Sequence, residues 1–287
     1  MTEENVFEQL TNEYYQLTSA EKKIADSVFS LGPDTQSMSI SRLAEYCGVA
    51  EATISRFCRR LGYESYGAFR RGITATVAAD RTAGAAAPLH GAVEAEDTVS
   101  DMASKLAEAN KSAIDETRAL LQEEALLAAA DTLRAAETVL CMGQGGSMVV
   151  AQEAANLFGT VFPRYFPVSD SHTQIIRASQ LTERDVILYC SYSGATSDLM
   201  DLLRVAKQRG VKVILLTRYP NSPGAGGADV VLRCGTTESP LQMGSVPARI
   251  AQIYLLDVLF TEVCRRDMDD FRRRRARVAD ALAEKHV

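Results

Sequence analysis

The second half of the chain alternates between two hydrophobic periods. Short apolar runs at Thr138–Met142, Arg164–Val168, Asp185–Cys190, Val211–Thr217 and Asp229–Arg233 read as strands. Between them, near 147–159, 171–180, 196–209 and 247–265, the apolar residues recur at helical spacing. Strands alternating with helices predict right-handed βαβ units and a parallel sheet. Two Ala/Leu-rich amphipathic helices are expected ahead of the first strand, near 98–120 and 123–135. Residues 78–96, AADRTAGAAAPLHGAVEAE, have linker composition, although their alanines can extend a helix at either edge. The expected organisation is therefore an all-α domain at 1–77, a linker at 78–96, and an α/β domain at 97–287.

In the N-terminal domain, Ile24, Ala25, Val28 and Phe29 mark one face of a helix. Thr18 or Ser19 begins it, and Glu21 is placed for a capping box with Thr18. Further on, Ser39 or Ser41 caps a helix carrying Leu43, Ala44 and Tyr46, and Gly48 stands where the chain must turn sharply. Ala50-Glu51 then opens a second helix, with Ile54, Phe57, Cys58 and Leu61 on its buried face and Gly62 at its end. Two short helices about a tight turn make a helix-turn-helix, whose second helix enters the major groove of DNA. The outward positions are Glu51, Ala52, Thr53, Ser55, Arg56 and Arg59, with Arg60 beside them. An Arg56 fork suits guanine, and Glu51 suits the cytosine amino group. Between 56 and 71, arginines at 56, 59, 60, 70 and 71 face one acid, Glu64, and supply the phosphate attraction that does not depend on sequence. The bland alternative is a helical hairpin for protein contacts with solvated arginines.

Overall charge sharpens this picture. The formal charge is −6, so nucleic-acid affinity must come from a local basic surface. The six cysteines include no CxxC pair, and with three distant histidines they write no zinc site. No metal or cofactor is expected. The opening MTEENVFEQL is acidic and polar, unlike a signal peptide, and no apolar run reaches the length of a membrane span. A reducing cytoplasm is the expected location.

Two predicted strands end in unusual loops. Gln144-Gly145-Gly146-Ser147 follows the first strand, and Ser191-Tyr192-Ser193-Gly194-Ala195-Thr196 follows the third. In open α/β sheets, ligands bind beyond the carboxyl ends of the strands. Each loop opens a helix, whose free N–H groups and positive dipole end favour an anion. The hydroxyls of Ser147, Ser191, Ser193 and Thr196 add donors, while Gly145, Gly146 and Gly194 let backbone approach closely. The first loop has neither the third glycine of a dinucleotide fingerprint nor the GK[ST] of a P-loop. Ordinary helix capping is the competing explanation of these serines. His172 follows a predicted strand end and either reaches a ligand there or is a partly buried structural histidine. The arginine-rich tail, Arg272 to Arg275 with Arg277, is either a solvated helix face or a contact to DNA backbone.

The chain resembles the RpiR-type bacterial transcription regulators. The residues that carry the likeness are Leu17-Thr18, Glu21, Ile24-Ala25, Met38-Ser39-Ile40, Leu43-Ala44, Gly48-Val49, Ala52-Thr53, Arg56-Phe57-Cys58 and Leu61-Gly62-Tyr63. The second half is similar to the sugar-isomerase (SIS) domain of the same family through Gly143 to Ser147, Ser191 to Thr196, Glu238-Ser239-Pro240 and Arg249-Ile250-Ala251. It departs at Ala50, where the family often has Ser, and at Tyr192, where His or a small polar residue is usual. The resemblance implies an SIS-like, Rossmann-like domain with a parallel sheet flanked by helices, following the helix-turn-helix domain. It also implies a ligand-facing carboxylate at Glu238, with Arg249 either pairing with it or standing at the surface.

On that basis the expected protein regulates carbohydrate-metabolism genes. Its partners are double-stranded operator DNA, a phosphorylated sugar or sugar-acid effector, and itself, as a homodimer or homotetramer through the SIS domain. The alternatives are a sugar-phosphate isomerase with an accessory DNA-binding domain, and a regulator whose pocket serves only to dimerise. Effector identity, and repression against activation, stay open at this level.

Overall fold

The computed structural model describes residues 5–83, 93, 96–235 and 246–283. The chain divides into two compact units between Glu108 and Ala109.

The first unit is built from α1 (Val6–Glu13), α2 (Ser19–Leu31), α3 (Ile40–Cys47), α4 (Glu51–Arg60) and α5 (Tyr66–Ala83). Tyr14–Gln16 and Gly32–Ser37 are short 3-10 turns. The predicted capping box closes α2: the Glu21 N–H donates to Thr18 Oγ1, and the Thr18 N–H donates to Glu21 Oε2 at 2.8 Å. Ile24, Ala25 and Val28 of α2 pack with Leu43, Ala44 and Cys47 of α3, Ile54, Phe57 and Cys58 of α4, and Phe69 and Ile73 of α5. Helix α1, for which the sequence reading has no element, adds Val6 and Leu10 to this core. It is tied on by the Val6 N–H donating to Thr76 Oγ1 and by Gln9 Nε2 donating to the Leu61 carbonyl at 2.7 Å. Helix α5 runs past the expected boundary at 77 to Ala83, because the alanines there favour helix. The rest of the predicted linker, apart from Val93 and Glu96, lies outside the described residues.

Helix α6 (Val99–Leu120) spans the division. The second unit continues with α7 (Glu123–Ala135), β1 (Val139–Gly143), α8 (Gly146–Gly159), β2 (Tyr165–Val168), α9 (Ser171–Gln180), β3 (Val186–Cys190), α10 (Ser197–Arg209), β4 (Lys212–Thr217), α11 (Pro223–Gly227), β5 (Val230–Arg233), α12 (Val246–Arg265) and α13 (Met268–Ala283). The five strands form one parallel sheet in the order β2-β1-β3-β4-β5. Strand side chains alternate between faces. Val139, Cys141, Leu188, Cys190, Ile214 and Leu216 pack under α7, α8 and α12, and Leu140, Met142, Ile187, Tyr189, Val213 and Leu215 under α9, α10 and α11. Burial on both faces explains why the strands read as continuous apolar runs. Among the described residues of this unit, the one large departure from the predicted elements is α11, whose PGAGG sequence reads as a turn.

Candidate functional site

The helix-turn-helix forms as its sequence predicts. Ser39 caps α3, accepting the Arg42 N–H at 3.2 Å. Gly48 takes the left-handed conformation, φ 64° and ψ 39°, that the turn demands. Ala50, where a serine is usual, leaves α4 without a side-chain cap. Ile54, Phe57 and Cys58 hold α4 against the core, leaving Glu51, Ala52, Arg56 and Arg59 exposed, with Thr53 and Ser55 half-buried beside them. Arg56 Nη2 donates to Thr53 Oγ1 at 3.2 Å, which braces the fork one turn inside the helix start. Arg60 points elsewhere. Its guanidinium pairs with Glu21 at 2.9 Å and donates to the Gln16 carbonyl at 2.7 Å. One carboxylate therefore closes the α2 cap and ties α2 to the end of α4. Burial pushes the Glu21 pKa up, but the Thr18 N–H and hydroxyl and the Arg60 charge outweigh it and hold it below the ordinary value.

The β1 and β3 loops stand side by side. Strands β1 and β3 are neighbours, with Gly143 opposite Cys190, and strand order reverses between them. This is the switch point at which such sheets bind ligands. Gly143 is obligatory: a Cβ there would lie 2.7 Å from the Ser147 carbonyl oxygen and 3.0 Å from that of Cys190. Gly145 (φ 53°) then launches α8. In the second loop, the Gly194 N–H donates to Ser191 Oγ at 3.1 Å, and the Ala195 N–H donates to Ser193 Oγ at 3.3 Å. Each seryl oxygen is an acceptor inside the loop, so its own proton is the part left to donate to an anion. The loop is braced from below. The Gly224 N–H donates to the Gly194 carbonyl at 2.8 Å, and Thr217 Oγ1 donates to the Tyr192 carbonyl at 3.0 Å. Tyr192 stacks edge-on against Tyr219, with centroids 5.7 Å apart.

Gln174 and Tyr189, which the sequence did not single out, and Arg249, which the resemblance did, lie beside these loops. Gln174 on α9 is buried. Its Nε2 donates to the carbonyls of Gly143 (3.0 Å) and Val168 (2.8 Å), and its Oε1 accepts from Gln144 Nε2 at 3.1 Å. One amide thus joins the ends of β1 and β2 to the first loop. Arg249, in the first turn of α12, brings Nη1 to 3.5 Å from where a Gly146 Cβ would lie, placing a cation beside the start of α8. Tyr189 lies buried beneath the second loop. His172 is exposed in the first turn of α9, so the buried structural alternative does not hold. Asp170 caps that helix, accepting both the Thr173 N–H and its hydroxyl at 2.7 Å. Glu238 lies outside the described residues. The arginine-rich helix α13 buries none of its residues, and Asp269 and Asp270 pair along it with Arg272, Arg273 and Arg274. Among the described residues no group of side chains has the composition of a metal site, and no helix is long and apolar enough to cross a membrane.

Comparison with known proteins follows the same division. Residues 4–80 match the helix-turn-helix domain of the rpiR family, and residues 132–262 match the SIS domain. An HTH-type transcriptional regulator of Caldanaerobacter subterraneus is 32% identical over 270 residues, 94% of this chain and 94% of the relative. One from Clostridium perfringens is 30% identical over 258 residues, covering 90% of this chain and 91% of the relative. Among solved structures, Vibrio vulnificus NanR complexed with ManNAc-6P aligns over 99% of this chain and 100% of its own, with TM-score 0.64 and 21% identity. The sugar isomerase domain of an RpiR transcription factor from Sphaerobacter thermophilus covers 64% of this chain and 98% of its own, with TM-score 0.57 and 23% identity. A putative sugar-phosphate isomerase of Listeria monocytogenes shares the fold over 61% of this chain and 93% of its own, with TM-score 0.55 and 20% identity. Near-full-length identity to two such regulators, with both domains in the same order, makes this chain a member of the rpiR family of HTH-type transcriptional regulators.

Proposed function

We propose that this regulator reads double-stranded operator DNA through α4 and senses a phosphorylated sugar or sugar acid at the β1 and β3 loops. The observation that carries the reading is the pairing of two hydroxyl- and glycine-bearing loops at one switch point, each opening a helix. Ser147, Ser191, Ser193 and Thr196 supply hydroxyl donors, Gly145, Gly146 and Gly194 the close backbone, and Arg249 a nearby cation. His172 and Glu238 are assigned to the sugar end. On α4, Arg56 and Glu51 read base edges from a surface that includes Ala52, while Thr53, Ser55 and Arg59 face phosphates. Arg60, drawn onto Glu21, is reassigned from DNA to bracing α4. Copies of the chain associate through their SIS domains. An effector that prefers one arrangement of that pair shifts the DNA-binding units by linkage.

The test is a thermal-shift screen of phosphorylated sugars and sugar acids, ManNAc-6P included because NanR was solved with it. A true effector at 100 times its Kd stabilises by about 2.7 kcal/mol. Its unphosphorylated sugar should give no shift. A panel without any stabilising phosphate ester contradicts the reading. Isomerase folds among the structural neighbours motivate a second reading, that the protein turns over such esters. We expect none, and isomerisation near 1 s⁻¹ or faster, abolished by Glu238→Gln, would establish it.

A further inference from the structure

Two hydroxyls beneath the β3–α10 loop have no hydrogen-bond partner. Tyr189 is fully buried on the α10 side of the sheet, and its phenolic oxygen is unbonded. Thr196 occupies the N-cap of α10, yet its Oγ1 does not cap the helix and is itself buried and unbonded. Burial drives the Tyr189 pKa up to about 12, with Asp198 adding to the rise and Thr196 and Gln144 opposing it. The phenol is therefore protonated at neutral pH, and groups from both loops surround it. An orphaned buried hydroxyl is destabilising, because it gives up water without gaining a partner. A phenylalanine fills the same space without that cost, so the hydroxyl calls for a use.

We propose that Tyr189 is the buried positioning residue of the effector site. Its O–H donates to Thr196 Oγ1 and so directs the Thr196 proton to an anionic oxygen held at the start of α10. This rests on the effector reading above. The bookkeeping is specific. A threonine hydroxyl has one proton and two acceptor pairs. When Tyr189 donates into one pair, the Thr196 proton must find an acceptor elsewhere, and the helix N-terminus is where an anion is favoured. A chain of two hydrogen bonds polarises along its length, strengthening the outer one. Gln144 Nε2 gives one proton to Gln174 and keeps a second, which suits the phenol's oxygen and leaves the phenol's own proton for Thr196. Asp198, in the first turn of α10, adds its charge to the burial that keeps the phenol protonated.

The experiment uses the full chain and two probes, inorganic phosphate and ManNAc-6P, titrated calorimetrically. Tyr189→Phe keeps the ring and removes only the oxygen. We expect it to weaken probe binding about three- to tenfold, as loss of one ordinary hydrogen bond does. Its melting temperature without probe should equal or exceed that of the wild type, because the hydroxyl is unbonded there. In a Thr196→Val background the same change should have no further effect on binding, which a merely structural role does not predict. Wild-type affinity in Tyr189→Phe, an equal loss in the Thr196→Val background, or a lower melting temperature overturns the proposal. Failure of the wild type to bind either probe overturns the effector-site reading first, and this inference with it.

Discussion

Substituting alanine for Gly194 tests how tightly the second loop is built. Gly194 has φ +59°, in the left-handed region. An L-residue held there costs about 1–2 kcal/mol. The larger problem is space. A Cβ would come within 2.9 Å of Ser222 Cβ and 3.0 Å of Thr217 Oγ1, and closer still to Ser222 Oγ. Ser222 cannot yield freely, because its Oγ caps α11 by accepting the Ala225 N–H. Rotating it away loses that cap, worth about 0.5–2 kcal/mol. The sum is about 1.5–4 kcal/mol, or about 3–16 °C in Tm for a unit of this size. Gly210 supplies the control. It has φ +69°, but a Cβ there meets only Glu183 Cβ at 3.6 Å, an ordinary contact, so Gly210→Ala carries the backbone strain alone. Thermal unfolding of both variants, monitored by circular dichroism, should show the larger drop for Gly194→Ala. Equal drops would refute the claim that the loop is clamped onto Ser222 and Thr217.

The three arginines of α4 should separate by assay. In fluorescence-anisotropy titrations Arg56→Ala should lose about 1–3 kcal/mol of specific affinity and relax preference at one base position. Arg59→Ala should weaken all sequences alike and lower the salt slope by about one. Arg60→Ala should reduce the melting temperature of the helix-turn-helix unit while leaving the salt slope alone; a changed slope with unchanged stability would put Arg60 back on DNA. Acid should expose the Glu21 cap. Because its folded pKa is depressed, its stabilisation is present above the ordinary glutamate value of about 4.3 and is lost as pH falls through the lowered value. Thr18→Ala removes the hydroxyl bond that helps to depress it and keeps the backbone one, so the variant should shed less stability in that window, and an acid profile parallel to the wild type would contradict this.

Sequence periodicity located the architecture closely and the site partly. All five strands and, α11 apart, the helices between them lie where the change of period puts them, because strands buried on both faces must be continuously apolar. The side-by-side placement of the two strand-end loops was legible, since each follows a strand of one parallel sheet and opens a helix. Gln174 was not. On α9 it shares a face with Ala178, and a glutamine there reads as a blemish in an apolar stripe until the carbonyls of Gly143 and Val168 are seen converging on it. The pairing of Arg60 with Glu21 was not legible, because its partner is distant in sequence and nothing local distinguishes it from Arg59. Helix α1 was missed because it is short and polar, and it is held by contacts to Leu61 and Thr76 rather than by its own propensity.

The central claim is that the strand-end loops sense an anionic effector while a separate helix reads DNA. Operator titration of Ser147→Ala and Ser191→Ala, with and without the effector found by thermal shift, tests it most directly. Each serine is expected to donate one charge-assisted hydrogen bond, worth about 1.5–3 kcal/mol, or about a tenfold to hundredfold loss in effector affinity. Both variants should bind operator normally without effector and need far more effector to change that binding. Wild-type effector response in both variants would place the anion elsewhere, and loss of operator binding without effector would make the serines part of the scaffold.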